Sequence, residues 1–479
     1  MKTFKLLSSL SKKRKIKIYL VGGYLRDLIL ERKNKDLDFV LAPLDAKRLS
    51  GLTGGLTDFV KEFAKRINGT FFLLNDRYQT NRVIDKKNGL TYDFTRIRGR
   101  SIEEDLKKRD FTINALALDL EKPVLLKVID SYKGREDIQK RVIRVVSERA
   151  FSDDPLRLLR SIRFRALLNF RIEKKTEKLI IQKAPRLKKI SGERIREELF
   201  GILALEESHS FIRELDELKL LTQIIPEIEA LRKTDQEGFH HLDVWEHSFE
   251  ALKHTEEILK NLKKLFPKFY KKINKHLEEE VADKQPRITL LKLAALFHDL
   301  GKPQTQAITP EGRMRFIGHE EKGVEMAEEI GKRLRLSRKA IETVKREILY
   351  HMRPGNLSGV SELTNRAIFR FFRDCKEEGV ETLILSYGDR LASCGPLATP
   401  GMIKRHREVV EEMLGDYYER KSIVKPKKLV NGNEIMKKFN LSPGPKIGKI
   451  LEVLSEVQVE GKVKTKKEAL EFIKRALES

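Results

Sequence analysis

The chain has 479 residues, about three domains at ~100–200 residues each, which excludes a single small binding module. Hydrophobic residues make up 40%, enough for packed cores, and one Trp with 28 Gly fits neither a fibrous nor a low-complexity protein. With 98 Lys and Arg against 72 Asp and Glu, the net charge of +26 calls for a polyanionic partner, either nucleic acid or an anionic membrane surface.

No apolar run reaches the ~18 residues of a membrane-spanning helix, so no membrane partner of that kind is expected. Residues 1–23 do not read as a signal peptide, because the short apolar piece is followed by a basic run without a small-residue cleavage site. Cys375 and Cys394 make neither a disulfide framework nor a zinc motif, so a reducing, cytoplasmic location is expected. All ten histidines lie at or after His209, and eight of them fall between His240 and His351. That asymmetry implies two chemistries in two segments.

In chain order, Ile16, Ile18 and Leu20 alternate with polar neighbours and predict a strand. It runs into Gly22-Gly23 and a helix-like stretch over 24–30 with Arg26 near its start. A Gly-Gly step lets backbone N–H groups approach a phosphate, and Arg26 adds a forked cation. A second strand pattern follows over 36–41. Side chains two apart share a face, so Asp36 and Asp38 project together while Leu37 and Phe39 pack inward. Two adjacent carboxylates need a cation between them. Hard oxygen ligands suit Mg²⁺, and a pair of such ions can clamp the attacking and leaving oxygens of phosphoryl transfer.

Gly22-Gly23-x-x-Arg26-Asp27 followed by Asp36-x-Asp38 resembles the signature of class II tRNA nucleotidyltransferases and bacterial poly(A) polymerases, within the polymerase β-like superfamily. The resemblance continues through Lys108-Arg109-Asp110-Phe111-Thr112-Ile113-Asn114-Ala115, which is similar to the family's ribose-contacting motif. Asp130, Gly134 and Asp137 resemble the link between head and neck. Asp153-Asp154-Pro155-Leu156-Arg157 and Arg160-Ser161-Ile162-Arg163-Phe164 resemble the neck motif that reads the base. The resemblance implies an α/β polymerase β-like nucleotidyltransferase head, then a mostly α-helical neck, an HD domain and a tail. Its implied activity is template-independent addition of C, and of A as an open question, to the acceptor arm of tRNA from CTP and ATP. Two Mg²⁺ ions would sit at Asp36 and Asp38.

The residues agree with these roles. Asp93, in a strand-like stretch over 91–95, offers a third carboxylate beside the pair. Ser101-x-x-Glu104 reads as a capping box, placing Arg109 and Asp110 just past a short helix. There Asp110 can accept from a ribose hydroxyl and Arg109 can bind phosphate. In the neck, Ser152 is expected to cap a helix with Asp154 and Arg157 on one face. Asp accepts from an exocyclic amine and Arg donates to a ring acceptor, which selects C and A over U and G. Family members that build all of C-C-A usually carry a longer flexible loop where this chain has only residues 99–105 after Arg98, ahead of Lys107. The resemblance is therefore closer to CC-adding members.

His247, His298-Asp299, His319, His351 and Asp389 are spaced like the ligands of an HD-type phosphohydrolase. Imidazole and carboxylate donors suit Mn, Fe, Co or Ni, and a metal pair can activate water against a phosphoester. His240, His241, His254 and His276 read as structural. In the tail, the N–H groups of a Gly-Pro turn, with Lys446 and Lys449 after it, can grip RNA phosphates. The expected domains are a head at 1–148, a neck at 149–235, an HD domain at 236–400 and a basic tail at 401–479. Two rival readings share parts of this pattern: a poly(A) polymerase, and an RNA-binding protein in which only the HD domain is active.

Overall fold

A computed structural model of the chain describes residues 2–44, 53–75, 80–121, 127–236, 242–282, 284–393 and 395–478. His240, His241 and Cys394 lie outside the described residues. The chain divides into two compact units, residues 1–190 with 217–223, and residues 191–216 with 224–479.

The first unit is built on a six-stranded sheet. Its strands are β1 (Ile16–Val21), β2 (Asp36–Pro43), β3 (Thr70–Asn75), β4 (Thr80–Asp85), β5 (Leu90–Arg96) and β6 (Ala117–Asp119), in the order β3-β4-β5-β2-β1-β6. β2 and β5 run parallel and the other neighbours antiparallel. The two-residue alternation of β2 sorts its side chains. Leu37 and Phe39 go to the face where Phe39 stacks on Phe94 at 5.0 Å, and Phe63 of helix α1 (Thr53–Ile67) meets Phe94 edge-on at 5.4 Å. Val40 and Ala42 go to the opposite face, packed with Val21, Ala117 and, from α2 (Ile102–Lys107), Ile102 and Leu106. Asp36 and Asp38 share that second face, at the end of the strand where the apolar cover stops.

Ser101 caps α2 as its sequence predicts, accepting from Glu104 N at 3.4 Å, while Glu104 reaches back to Arg100 N at 3.0 Å. The neck prediction needs correction. Ser152 lies inside a one-turn helix, α3 (Ala150–Asp153), and α4 (Arg157–Leu168) starts anew after it. Asp154 between them is extended, with φ −146° and ψ 99°. Pro155 is the cause: it supplies no N–H and forces the preceding residue out of the helical region. Asp154 and Arg157 therefore flank a break instead of sharing one continuous helical face.

The second unit is almost entirely helical. Helices Val244–Lys260, Arg287–Phe297, His319–Arg333, Arg338–Tyr350 and Gly379–Ala392 form its centre. Helix Pro400–Glu419 packs on Met352–Ser358 and Gly379–Ala392. The last three helices, Gly432–Phe439, Pro445–Val459 and Lys466–Glu478, enclose their own small core around Ile435, Leu454 and Ile473. Among the described residues no helix is long and apolar enough to cross a membrane.

Candidate active site and metal centre

In the first unit the carboxylates line up across strands. Asp38 stands in register with Asp93 on parallel β5, and Asp93 with Arg82 on antiparallel β4. Arg82 clamps Asp93 with two bonds of 2.8 and 2.7 Å. Asp93 thus lies beside the pair, as expected, but is already engaged by a cation that the sequence reading missed. Its signal was only the strand register. Burial raises the pKa of Asp38, Arg109 opposes the shift, and Asp93 and Asp36 add to it. Such a carboxylate gains from a bound cation, so the residues fit a divalent metal at Asp36 and Asp38.

The turn after β1 supplies the opposite wall. Gly22 has φ +76°, and a Cβ there would stand 2.9 Å from Arg109 Nη1 and 3.4 Å from Asp38 Oδ2. Only glycine allows that approach. Arg109 follows α2 and shares Asp105 with Arg98, at 3.5 and 3.1 Å respectively.

Arg26 is buried and satisfied within the protein. It forks onto Asp27 at 2.9 Å twice and donates to Asn114 Oδ1 at 2.7 Å. Asn114 donates to Asp110 at 3.1 Å, and Asp110 accepts from Arg160 Nε and Nη2 at 3.1 and 2.9 Å. At the other end Asp27 accepts from Asn34, whose Oδ1 takes the Asp36 backbone N–H at 2.8 Å. One hydrogen-bonded string therefore runs from α4 to the first residue of β2. Arg157 points its Nη atoms at the carbonyls of Lys108, Arg109 and Ala150, at 2.7, 3.1 and 3.3 Å. Arg160 and Arg163 both lie near the Phe164 ring, at 5.0 and 5.7 Å from its centroid.

In the second unit five segments bring His247, His298, Asp299, His319, His351 and Asp389 together. His247 Nε2 is 2.9 Å from Asp389 and 3.3 Å from His298 Nε2. Asp299 lies 3.2 Å from His298, 3.5 Å from His247 and His319, and 4.0 Å from His351. The Nδ1 atoms of His298, His319 and His351 donate to the carbonyls three residues earlier, Ala295, Phe316 and Ile348, at 2.9, 2.8 and 2.6 Å. Each ring is thereby held with Nε2 inward. The buried Nε2 atoms of His319 and His351 have no hydrogen-bond partner among the described residues.

Two triads, His247/His298/Asp389 and His298/Asp299/His351, are close enough to hold an ion. Burial disfavours the charged form of His298, but Asp299 and Asp389 override it and raise its pKa to about 10. His351 goes the other way, to about 3, through burial and the nearby His298 and His319. The two buried carboxylates thus favour a positive charge among the rings, and a metal ion is one way to supply it. Lys302, 2.6 Å from Asp299, belongs to this cluster and was signalled only by its place next to the His-Asp pair. His276 and His254 pair with Glu381 and Glu257 away from the centre, as structural residues.

Residues 18–144 match the family described as 'Poly A polymerase head domain', 169–231 'Probable RNA and SrmB-binding site of polymerase A', 244–393 'HD domain' and 401–473 'tRNA nucleotidyltransferase domain 2 putative'. An A-adding tRNA nucleotidyltransferase of Deinococcus radiodurans is 31% identical over 466 residues, covering 95% of this chain and 94% of the relative. The chain belongs to the tRNA nucleotidyltransferase family. A CC-adding tRNA nucleotidyltransferase of Thermus thermophilus is 32% identical over 460 residues, 95% of this chain and 92% of the relative. The nucleotidyltransferase shares its fold with a Thermotoga maritima CCA-adding enzyme complexed with tRNA, at 23% identity and a TM-score of 0.61 over 99% of this chain and 94% of that one. The expected α/β head, HD domain and tail of the nucleotidyltransferase are borne out. Metal dependence is general to tRNA nucleotidyltransferases, and this one carries candidate metal-binding groups.

Proposed function

We propose that this chain extends the 3′ end of tRNA without a nucleic-acid template, adding C from CTP, and that it is of the CC-adding kind. The observation that supports the subtype is the short, pinned connection before α2. Arg98 donates its backbone N–H and its Nε to Asp105 at 2.9 and 3.1 Å, and Asp105 is fully buried beside Arg109. A segment tied this closely has no slack to reshape the pocket from C to A.

In this reading residues 1–148 are the catalytic head, 149–235 the neck, 236–400 the HD domain and 401–479 the tail. Asp36 and Asp38, with Asp93 beside them, hold two Mg²⁺ ions, which supply charge neutralisation to the reacting phosphate when bound. The tRNA 3′-hydroxyl attacks the α-phosphate and pyrophosphate leaves. Gly22, Gly23 and Arg109 line the triphosphate, and Arg26, a phosphate ligand in the sequence reading, braces the turn through Asp27 and Asn114. Asp110 and Asn114 stand at the ribose. Asp154, Arg157, Arg160 and Arg163 face the base; Arg157 has five N–H donors, of which three serve backbone carbonyls. Lys446 and Lys449, exposed on the tail, contact acceptor-arm phosphates. The cytoplasmic setting rests on the sparse cysteine usage.

Labelled CTP and ATP offered to tRNAs ending before C, after C and after C-C test the proposal. Addition of one or two C residues and no A is expected, and Asp36→Ala should abolish it while tRNA binding persists. Complete C-C-A would refute the subtype, and a long A tail would mark a poly(A) polymerase. A second activity is favoured by the His/Asp cluster: hydrolysis of phosphoesters with Mn²⁺, Ni²⁺, Co²⁺ or Fe²⁺. A chromogenic phosphodiester tests it. Hydrolysis without incorporation of any nucleotide would favour a head that only binds RNA.

A further inference from the structure

Beside the His/Asp cluster lies a cavity of about 620 Å³, within the ~300–1,000 Å³ of small-molecule sites. Asp299, His319 and Asp389 face it from one side, and Met314, Phe316 and Ile317 give it an apolar rim. Ile317 is 80% exposed there.

The cavity also receives Arg390, the residue after Asp389, and His406 from helix Pro400–Glu419. His406 lies beyond the residues that match the HD family, in the segment that matches tRNA nucleotidyltransferase domain 2. It is 1% exposed, stacks on Tyr387 at 6.2 Å and 23°, and sits 3.2 Å from Ser386 Oγ. Its Nδ1 accepts from Arg390 Nε at 3.5 Å. Gly355 closes the back: a Cβ there would lie 3.5 Å from Arg390 Nη2 and 3.6 Å from His406 Cε1. Arg390 is thus oriented by an imidazole in a space that a glycine leaves open, and the imidazole does not neutralise its charge. A guanidinium held this way beside a candidate metal centre is suited to an anion with several oxygens.

We propose that this cavity binds phosphate esters through Arg390, with His406 as its positioning residue. The proposal rests on the phosphohydrolase reading of the His/Asp cluster. The ester's phosphate meets Arg390, and its organic part lies against Met314 and Ile317. The tail segment thereby contributes to the specificity of a site whose metal ligands all come from the HD segment.

The test is calorimetric titration of the full-length protein with inorganic phosphate, with and without Mn²⁺, alongside metal content by mass spectrometry. Arg390→Met should weaken phosphate binding ~10- to 100-fold at unchanged metal content. His406→Phe should weaken it as well, and His406→Asn, which keeps an acceptor at the Nδ1 position, should restore it. In the Arg390→Met background, His406→Phe should add nothing. Unchanged binding in Arg390→Met, or equal losses from His406→Phe in both backgrounds, would overturn the proposal. So would a wild-type protein that binds no phosphate in either metal state. A protein that takes up no metal but binds phosphate through Arg390 would refute the phosphohydrolase reading and support the anion site.

Discussion

Asp110 offers a charge whose worth can be worked out. It is 8% exposed, and burial alone would raise its pKa. Arg160, the Asn114 amide, the Phe111 N–H and Arg157 override burial and hold it at about 2, against an ordinary 3.8. A gap of about 1.8 pH units corresponds to about 2.4 kcal/mol. The folded pKa lies below the unfolded one, so this stabilisation is complete above about pH 5 and is lost as pH falls from there through about 2. Asp110→Asn keeps the shape and removes the charge. It should cost about 2 kcal/mol at pH 7, read as about 30- to 60-fold lower hydrogen-exchange protection of β2 and α4 amides. The difference from wild type should shrink as the pH falls through 2, where folded Asp110 itself takes up its proton. Equal protection at pH 7, or a deficit that does not vary with pH, would refute the reasoning.

Gly22→Ala forces φ +76° on a residue with a Cβ, which then stands 2.9 Å from Arg109 Nη1. Strain of about 1–3 kcal/mol should lower kcat/KM for CTP in a steady-state incorporation assay without weakening tRNA binding. Gly301→Ala would place its Cβ 2.1 Å from the His319 carbonyl and 2.6 Å from Gly323 N, backbone atoms that cannot yield. Metal uptake by the HD segment should fall, by mass spectrometry, while incorporation by the head continues. With a net charge of +26, tRNA affinity should drop steeply with salt, and a flat plot of log K against log salt would contradict a phosphate-dominated interface.

What the sequence revealed was local or periodic. The alternation in β2 put Asp36 and Asp38 on one face, and Ser101 announced α2, because both patterns are written within a few residues. The ordered His and Asp residues foretold which side chains the fold gathers into one cluster. The break at Pro155 was hidden because apolar spacing on both sides continues as if through one helix. Arg82, Asn34 and the Arg390–His406 pair escaped notice for another reason: their partners are set by strand register or by helices packed from distant segments. Arg26 shows the same limit, since its choice of Asp27 and Asn114 over an open pocket depends on where residue 114 folds back.

The surroundings of Asp38 have a consequence for how substrate arrives. Asp36, Asp38, Asp93 and Asp105 bring four negative charges, and Arg82, Arg98 and Arg109 bring three positive ones. With every one of these seven groups ionised, this corner is left slightly acidic in a strongly basic protein, and these groups alone give a triphosphate no net attraction. Nucleotide and divalent cation must then assist one another, each tightening the other by the same factor. CTP should bind weakly in EDTA and far more tightly with Mg²⁺. In the proposed function the protein's positive excess would serve the long RNA, while this corner would admit its nucleotide in company with metal.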